Sequence, residues 1–393
     1  MELLFWIAVS IVLFTFLGYG LVISVLAALG KKKINYPQLD DEDLPEVTLI
    51  VACYNEEEIL RDKVANCLNL NYPKERLTVL FVTDGSIDGS VELLQSYSGV
   101  EVSHSNSRKG KIAAINRIMP GITTPISIFT DANVMLNPEA IRALVHPFQS
   151  NLVAAVSGEK VVLSQSKDGA SSSGEGFYWK YESFLKRKDA QWNTLVGSAG
   201  ELLAIRTHQY HAPEEDTVIE DFVMTVRLAA QGYQVGYTPE AMAVETGSAN
   251  IEEEQKRKVR ISAGGLQAIS RLPEAWNWRK HPGLTFQYLS HRVLRWTAMP
   301  VALVIAIFTN LFLADQHWFY GFAALGQLIF YGLASLGYLM RNRAIRVKFL
   351  HIPFYFVFMH VCVVLGWIRY FRGKQAVTWE KAQRASPTWV VQD

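Results

Sequence analysis

The stretch ISIFTDAN, residues 126–133, sets an aspartate and an asparagine directly after a run of apolar residues. A short apolar run that ends in polar residues is typical of a buried strand. If the chain stays extended past the run, Asp131 and Asn133 project from the same side and can bind one hard cation, because such cations prefer oxygen ligands. The alternative is an Asx-rich turn that ends the strand and begins a loop.

Around this stretch, from residue 45 to about residue 245, short Val/Ile/Leu-rich runs alternate with segments of helical apolar period. The strand candidates are VTLIVACYN, LTVLFVTDGS, VEVSHS, ISIFTDAN and LVAAVSG. The helix candidates are EEEILRDKVANCLNL, DGSVELLQSY, KIAAINRIM and NPEAIRALVHPF. We expect Asp88 to cap the second of these, and Asn137 with Pro138 to begin the last. The alternation predicts an open, mainly parallel α/β sheet of Rossmann-like type, with ligands beyond the carboxyl ends of its strands.

Polar side chains stand at the predicted ligand edge of the sheet. Asp84 ends an earlier strand, and Arg108, Lys109 and Lys111 lie at a predicted helix start, where free N–H groups can meet an anion. The sequence has neither GxGxxG nor GxxxxGK[ST], so a dinucleotide or P-loop site would lack its glycine cradle. A nucleotide held by carboxylates, a metal and scattered basic residues fits this pattern better.

Two further charged groups follow. Glu220 and Asp221 begin an amphipathic helical segment, where they can merely complement the helix dipole. In a crevice beside a leaving phosphate, such a carboxylate can instead act as a general base. The basic group at residues 256–260 is either a solvated or headgroup-facing surface or, at Arg260, a guanidinium that neutralises a leaving diphosphate.

The composition predicts membrane segments beside a catalytic core, since half of the 393 residues are hydrophobic and 19% are charged. The apolar start is long enough for a transmembrane helix, and Lys31–Lys33 place its end in the cytoplasm by the positive-inside rule. An apolar hairpin and a last apolar run come after residue 290. Counting spans puts the carboxyl terminus outside, whereas the basic residues that follow argue for inside. The last run can also be re-entrant or interfacial.

We therefore predict a multi-pass cell-membrane protein with a cytoplasmic catalytic domain. Its regions are a membrane helix at 1–33, an α/β domain at 45–270, an interfacial segment at 271–292, membrane segments at 293–371 and a tail at 372–393. The Ser/Gly-rich stretch 164–176 predicts a mobile loop. A net charge of +1 gives no global attraction to nucleic acid, so none is expected as a partner. Three widely spaced cysteines indicate neither a disulfide framework nor a metal site.

Eight motifs stand in a recognisable order between about residues 45 and 300: IVACYNEEEIL, TDGSIDGS, GKIAAIN, FTDAN, AGELLAIR, EDFVMTVRLAAQGYQVGY, RKVRISAGG and SHRVLRW. Together they resemble the membrane-embedded glycosyltransferases of family 2, which include the synthases of cellulose, chitin, hyaluronan and poly-N-acetylglucosamine. The resemblance implies a GT-A fold with α-helical transmembrane segments. It also implies inverting transfer of a sugar from a nucleotide-sugar, of UDP type, to a lipid-linked or saccharide acceptor in cell-envelope or exopolysaccharide synthesis.

The resemblance implies roles for single residues in catalysis and nucleotide binding. Asp221, with Glu220 beside it, corresponds to the catalytic base, and Arg260 to the arginine of the QxxRW motif that meets the diphosphate. The residues implied in holding the nucleotide are Ala52, Tyr54, Asn55, Glu56, Asp84, Lys109, Asp131, Arg257 and Arg260.

The resemblance also implies a metal and an acceptor site. Asp131 and Asn133 would bind Mg²⁺ or Mn²⁺ together with the diphosphate, and the acceptor would lie at Gly200 and Glu201. Asn133 stands where the family has a second acid, which lowers the negative charge of the site and its affinity for the cation.

A departure in the QxxRW motif bears on the product. Arg257 stands at the glutamine position and Ile261 at the tryptophan position. In polymer synthases that tryptophan is tied to the acceptor end and to processivity, so its loss predicts short products. One alternative is a processive synthase that threads its product through the membrane segments. Four segments are few for a channel, so it would need a homo-oligomer or an export partner. The other alternative is a catalytically silent membrane scaffold.

Overall fold

The structure is a computed structural model that describes residues 1–30, 39–163, 170–341 and 348–373. For residues 170–177 and 348 it describes the backbone alone. The basic residues at 31–33, the first part of the Ser/Gly-rich stretch at 164–169 and the tail from 374 onward lie outside the described residues.

Eight strands form one sheet in the order β3-β2-β1-β4-β7-β6-β8-β5. Their bounds are β1 Val47–Cys53, β2 Leu77–Asp84, β3 Glu101–Ser105, β4 Ile126–Asp131, β5 Met135–Leu136, β6 Val153–Leu163, β7 Leu202–Arg206 and β8 Gln234–Thr246. Strands β1 to β4 pair in parallel, β7 is antiparallel to β4 and β6, β6 and β8 are parallel, and β5 is antiparallel to β8. The predicted parallel arrangement is confirmed in the first half, and the second half is mixed.

Helices cover both faces of the sheet. They are α3 Glu57–Leu68, α4 Ser90–Gln95, α5 Lys111–Ile118, α6 Ala140–Val145, α7 Ala170–Trp192, α8 Glu220–Ala230 and α9 Ile251–Arg271. Because successive strand residues face opposite sides, Leu49 and Val51 belong to the core cluster that includes α3 and α6 residues, and Ile50 to the one that includes α5 and α8 residues.

Two of the local predictions need correction. Asn137 does not cap α6, which begins at Ala140; its side chain instead donates to the carbonyl of Glu240 at 3.0 Å and accepts from the amide of Met242 at 2.7 Å. This pairing with β8 is a tertiary contact that local sequence does not reveal. The expected loop at 164–176 is wrong from residue 170 onward, where α7 begins. Asp88 stands one residue before the N-cap of α4, Gly89, but its carboxylate still accepts from the first amide of the helix, that of Ser90, at 3.1 Å.

Helices at both ends of the chain are long and apolar enough to cross a membrane. The first 28-residue helix joins α1 (Glu2–Leu13) and α2 (Tyr19–Leu29) through a π-helical turn. The others are α13 (Trp318–Leu339) and α14 (Lys348–Phe371). A fourth span arises if the bent pair made of α10 (Pro282–Gln287) with α11 (Leu294–Trp296) and α12 (Ala298–Leu313), 57° apart, counts as one.

The last apolar run has one face packed on the α/β domain. Gly366 of α14 lies so close to α9 that an added Cβ would be 2.6 Å from the Cβ of Ser262. About half of the apolar window of α14 is buried inside the protein. Helix α14 therefore combines the length of a span with an extensive contact to α9.

In the predicted interfacial segment, the indoles of Trp276 and Trp278 are 41% and 59% exposed.

Candidate active site

One ammonium group joins two carboxylates where β4, α5 and α8 meet. Lys111, the first residue of α5, has its Nζ 2.7 Å from Asp131 Oδ1 and 3.3 Å from Glu220 Oε1. Burial alone would lower the pKa of Lys111, but these carboxylates raise it well above its ordinary value. Lys111 is the basic residue of this segment that reaches the acids. The sequence marked it only as one of three basic residues and assigned the nucleotide contact to Lys109.

The chain turns directly after Asp131, so the turn alternative describes it and the extended one does not. Strand β4 ends at Asp131, and the amide of Val134 donates to the Asp131 carbonyl at 3.3 Å. Helix α3 supports this turn with side-chain hydrogen bonds. The fully buried Lys63 donates from Nζ to the Val134 carbonyl at 2.6 Å, and Asn66 exchanges two hydrogen bonds with the backbone of Leu136 at 2.8 and 2.9 Å.

The residues around the turn fit a cation whose remaining ligands come from a donor. Asp131 Oδ1 is buried, and its one polar contact among the described residues is the Lys111 ammonium. Ala52 lies opposite Asp131 in the β1–β4 register and adds no competing polar group. No set of three or more His, Cys, Asp or Glu residues in the described part of the chain could hold a metal alone. The Asp131 carboxylate suits a cation whose other ligands are phosphate oxygens. The predicted binding of a metal by Asp131 and Asn133 together stays a prediction.

The surroundings of Asp221 raise the pKa of its carboxyl. Burial, and after it the charges of Glu220 and Glu201, raise the pKa of Asp221 to about 7, against the opposing effect of Lys111. Gly200 leaves room for this carboxylate, because an added Cβ there would lie 3.3 Å from the Asp221 Cγ. The pKa of an efficient general base lies near the working pH, so Asp221 has the property its predicted role requires.

Asp84 uses its carboxylate to fasten the loop before α5. Its oxygens accept from the amide of Lys109 at 3.0 Å and from the amide of Gly110 at 2.6 Å. In the same loop the guanidinium of Arg108 lies 3.9 Å from the ring centroid of Tyr54. Asp84, Tyr54 and the Lys109 backbone therefore build one wall of the crevice. The nucleotide contacts predicted for them stay predictions.

Asn55 and Glu56 fasten the loop after β1 to the loop after β2. Asn55 has a left-handed backbone with φ 52°, its Oδ1 accepts from the amide of Ile87 at 2.9 Å, and its own amide donates to Ser86 Oγ at 3.2 Å. The amide of Glu56 donates to Ser90 Oγ at 3.0 Å. These contacts fix the shape of the crevice between two parallel strand ends, and nucleoside binding by Asn55 and Glu56 stays a prediction.

A chain of buried ion pairs leads from Glu201, a predicted acceptor residue, toward α9. Lys160 of β6 pairs with both Glu201 and Glu245, and burial, which would raise the pKa of Glu201, is outweighed by this ammonium, which lowers it. Arg257 lies 3.7 Å from Glu245 and 3.0 Å from Glu254. The guanidinium of Arg257 is therefore linked through Glu245 and Lys160 to Glu201, and its predicted contact with the nucleotide stays a prediction. Lys160 was not recognisable from the sequence, because Lys160 and its partners Glu201 and Glu245 come from separate segments of the chain.

Arg260 and Ile261 are half-buried on α9, one turn from this chain of ion pairs. Within the part of the chain that the structure describes, the Arg260 side chain makes no hydrogen bond or ion pair. Elsewhere, a cavity of about 430 Å³ lies between the end of α7 and the start of β8, lined by residues such as Arg187, Gln191 and Tyr237. None of its lining residues belongs to the carboxylate cluster, so the cavity has no part in the site.

Two family models match the chain. Residues 48–207 match the model described as Glycosyl transferase family 2, and residues 128–371, more than half of the chain, match the one described as Glycosyl transferase family group 2. The first covers the parallel half of the sheet with the turn at Asp131. The second covers Asp221, Arg260 and the C-terminal apolar helices.

Similar proteins are found among curated sequences and solved structures. Poly-beta-1,6-N-acetyl-D-glucosamine synthase of Staphylococcus aureus strain COL is 24% identical over 250 residues, and that of Staphylococcus epidermidis 22% over 262 residues. These matches cover 60% and 64% of this chain but only 58% and 61% of the relatives' length. The solved mannosyltransferase from Pyrobaculum calidifontis, in complex with GDP-Man and Mn²⁺, has a TM-score of 0.69 at 20% identity over 94% of this chain and 99% of its own, which confirms the GT-A fold.

Proposed function

Because the chain belongs to the family 2 glycosyltransferases, we propose that it transfers a sugar, with inversion, from a UDP-sugar to a lipid-linked or saccharide acceptor in polysaccharide synthesis. The observation that carries this proposal is the position of Asp221. Its carboxyl, with a pKa raised to about 7, stands at the edge of the sheet where the Lys111–Asp131 pair also lies. A base and a cationic side chain at one edge suit a displacement at an anomeric carbon, in which a proton is removed and a charged group leaves.

In this proposal, different residues of the chain carry out proton removal and stabilisation of the leaving group. Asp221 takes the proton of an acceptor hydroxyl while that oxygen bonds to the anomeric carbon and the bond from the carbon to the diphosphate breaks. Lys111 and Arg260 offer positive charge to the leaving diphosphate. Attack from the opposite face inverts the anomeric centre. A Mg²⁺ or Mn²⁺ ion held by Asp131 and Asn133 would, when bound, neutralise part of the diphosphate charge.

Two observations support the metal and the donor class. The two oxygen side chains next to a parallel strand end suit a hard cation. The similar mannosyltransferase was solved with a nucleotide-sugar and Mn²⁺, although that ligand set belongs to that protein. The test is nucleotide release by purified protein from UDP-glucose, UDP-N-acetylglucosamine, UDP-galactose, UDP-glucuronate and, as a contrast, GDP-mannose. Release from none of them, with Mn²⁺ or Mg²⁺ present, would overturn the proposal in favour of the silent scaffold.

A second candidate, a processive polysaccharide synthase, is favoured by one observation. The matched staphylococcal relatives are named as synthases of a polymer. Against it, Ile261 removes the aromatic that is tied to processivity in the family, so we keep short products as the first proposal. Size analysis of the product distinguishes the two: long polymer made without intermediates supports the second candidate.

We also propose that the catalytic domain faces the cytoplasm of a multi-pass cell-membrane protein. The support is the apolar outer surface of the end helices, where Leu3, Leu21 and Phe322 are 74%, 69% and 68% exposed. An apolar face of this extent suits contact with lipid. Protease added to intact right-side-out cells should spare the α/β domain, and cleavage of that domain would refute the orientation. A homo-oligomer or an export partner is proposed only for the processive candidate.

A further inference from the structure

The guanidinium of Arg292 lies against a bend of the chain at residues 196–197. Its Nε donates to the carbonyl of Val196 at 3.0 Å. Gly197 has a left-handed backbone with φ 106°, and an added Cβ there would lie 2.6 Å from Arg292 Cζ. A side chain at this position would strain the backbone and collide with the guanidinium, so the close contact depends on the glycine.

The segment that begins at this bend ends on the candidate base. We call residues 196–200 the base-facing segment. In its middle, the amide of Ala199 donates to Ser157 Oγ on β6 at 3.0 Å. At its end, an added Cβ on Gly200 would lie 3.3 Å from Asp221 Cγ. A shift at the start of the segment therefore moves the wall against which the base carboxyl packs.

A buried carboxylate pairs with two guanidinium groups. Glu182 of α7 is 2% exposed, its Oε1 lies 2.5 Å from Arg292 Nη2, and its Oε2 accepts from Arg295 Nη1 at 2.9 Å. Both arginine side chains are 12% exposed. Within the described residues, the guanidinium of Arg295 makes no hydrogen bond to the base-facing segment. The two arginines are therefore matched in burial and in ion-pair partner, and they differ in their contact with this segment.

The backbone next to Arg292 is anchored independently of its guanidinium. The preceding residue, His291, is fully buried, and its Nδ1 lies 2.6 Å from Asp189 Oδ2. The other oxygen of Asp189 accepts from the hydroxyl of Tyr19, on the first apolar helix. A change of the Arg292 side chain leaves these contacts in place and therefore acts mainly on the base-facing segment.

We propose that Arg292 is a positioning residue for the transfer step: its guanidinium keeps the base-facing segment against Asp221 and so keeps the base aligned with the acceptor hydroxyl. In the described part of the chain, Arg292 makes no hydrogen bond or ion pair with Asp221, so it acts through the segment. A guanidinium can donate from Nε and pair through Nη2 at once, which the point charge of a lysine cannot do in one geometry. The inference rests on the proposed sugar transfer and adds a residue to which the resemblance assigned no role.

The test uses the whole purified protein in neutral detergent and compares Arg292→Lys with the matched control Arg295→Lys. Each variant keeps a cation beside Glu182, and the first alone removes the donor to Val196. Without any ligand, amide hydrogen exchange at residues 197–202 should be about 2–10-fold faster in Arg292→Lys, as expected for the loss of one hydrogen bond. Arg295→Lys should exchange as the parent does.

The second measurement is the rate of nucleotide release per UDP-binding site, with the UDP-sugar that the parent turns over. We expect Arg292→Lys to release nucleotide roughly 10–10²-fold more slowly with unchanged UDP affinity, because a misplacement of about 1 Å costs up to about 10²-fold in rate. Arg295→Lys should keep the rate of the parent. Counting UDP-binding sites removes unfolded protein from the comparison, so a merely structural loss does not register as a slower rate.

A second pair of variants tests the segment without changing Arg292, and it decides the matter if Arg292→Lys does not fold. Ser157→Ala removes the hydroxyl that accepts from the Ala199 amide, and the control Ser127→Ala removes an equally buried serine at the start of β4. We expect Ser157→Ala to speed exchange at residues 197–202 and to slow nucleotide release per UDP-binding site. Ser127→Ala should do neither.

Three results would overturn the inference. The first is exchange or nucleotide release in Arg292→Lys that equals the parent's. The second is an equal loss in Arg292→Lys and Arg295→Lys, which would reduce both arginines to structural partners of Glu182. The third, where Arg292→Lys does not fold, is parent-like behaviour of Ser157→Ala. No nucleotide release by the parent would instead refute sugar transfer itself, and it is distinguishable because the exchange measurement needs no donor.

Discussion

Lys111 Nζ lies 2.7 Å from Asp131 Oδ1 and thereby joins the start of α5 to the end of β4. Glu220 of α8 shares the same ammonium at 3.3 Å. The pair that the sequence suggested for a cation is therefore already neutralised in part by a side chain of the protein. A cation bound by Asp131 has to share that carboxylate with Lys111, which makes Lys111 a determinant of metal affinity as well as of stability.

The first prediction concerns this competition. In Lys111→Met, Asp131 and Glu220 lose their shared counter-ion, so we expect the metal-free protein to lose about 1–3 kcal/mol of unfolding free energy. Mn²⁺ should then raise the thermal midpoint of the variant more than that of the parent, because the cation replaces the missing charge. Lys109→Met, which removes an exposed lysine two residues earlier, is the control and should respond as the parent does. Equal stabilisation of Lys111→Met and parent by Mn²⁺ contradicts the competition.

The second prediction follows from the raised pKa of Asp221. The base works only when ionised, so kcat/KM should rise with pH through about 7 and level off above it. Glu201→Gln removes a negative charge that raises this pKa, so the acid limb of the profile should move to lower pH. Glu101→Gln, on the edge strand β3 at the far end of the sheet, should leave the limb in place. An unchanged limb in Glu201→Gln, or a shift to higher pH, would disprove the assignment of the limb to Asp221.

The third prediction concerns the support of the turn after Asp131. Lys63→Met removes the buried hydrogen bond from Nζ to the Val134 carbonyl and should cost about 1–3 kcal/mol of unfolding free energy. It should also raise the Mn²⁺ concentration needed for half-maximal activity, although no ligand is changed.

The matched control for Lys63 is Arg206→Met. Arg206 likewise donates to backbone carbonyls, those of Phe148 and of Val153 at the start of β6, and neither is a predicted site residue. The Arg206→Met variant should lose stability, and the Mn²⁺ concentration needed for its half-maximal activity should stay as in the parent. If both variants shift the Mn²⁺ requirement equally, the effect is one of global stability, and Lys63 has no special part in the metal site.

The first half of the fold was predictable because its signals are local. Strands β2 and β4 are apolar runs that end at Asp84 and Asp131, and Asp221 stands in the first turn of α8, which has a helical apolar period. Strands β7 and β8 were not predicted. Strand β7 is a short apolar run whose place between β4 and β6 comes from antiparallel pairing, and β8 mixes polar and apolar residues and is ordered by its pairing with β6.

The contacts that tune the site were less accessible to sequence reasoning. The partners of Lys111, Lys63 and Lys160 lie 20, 71 and 41 positions away or more, so only the fold brings them together. The turn at Asp131 shows the same limit. The local sequence is compatible with both an extended chain and a turn, and the hydrogen bonds from α3 stabilise the turn.

The most direct test of the proposed chemistry is the transfer rate and the UDP affinity of Asp221→Asn, measured on one preparation. The substitution keeps the shape of the side chain and removes the base, so we predict a transfer rate lower by roughly 10²–10⁴-fold with UDP binding preserved or slightly tighter. Gly200, which packs on the carboxylate, tolerates the amide because the two groups have nearly the same volume. A transfer rate within about threefold of the parent would contradict the account, remove Asp221 as the base and make Glu220 the next candidate.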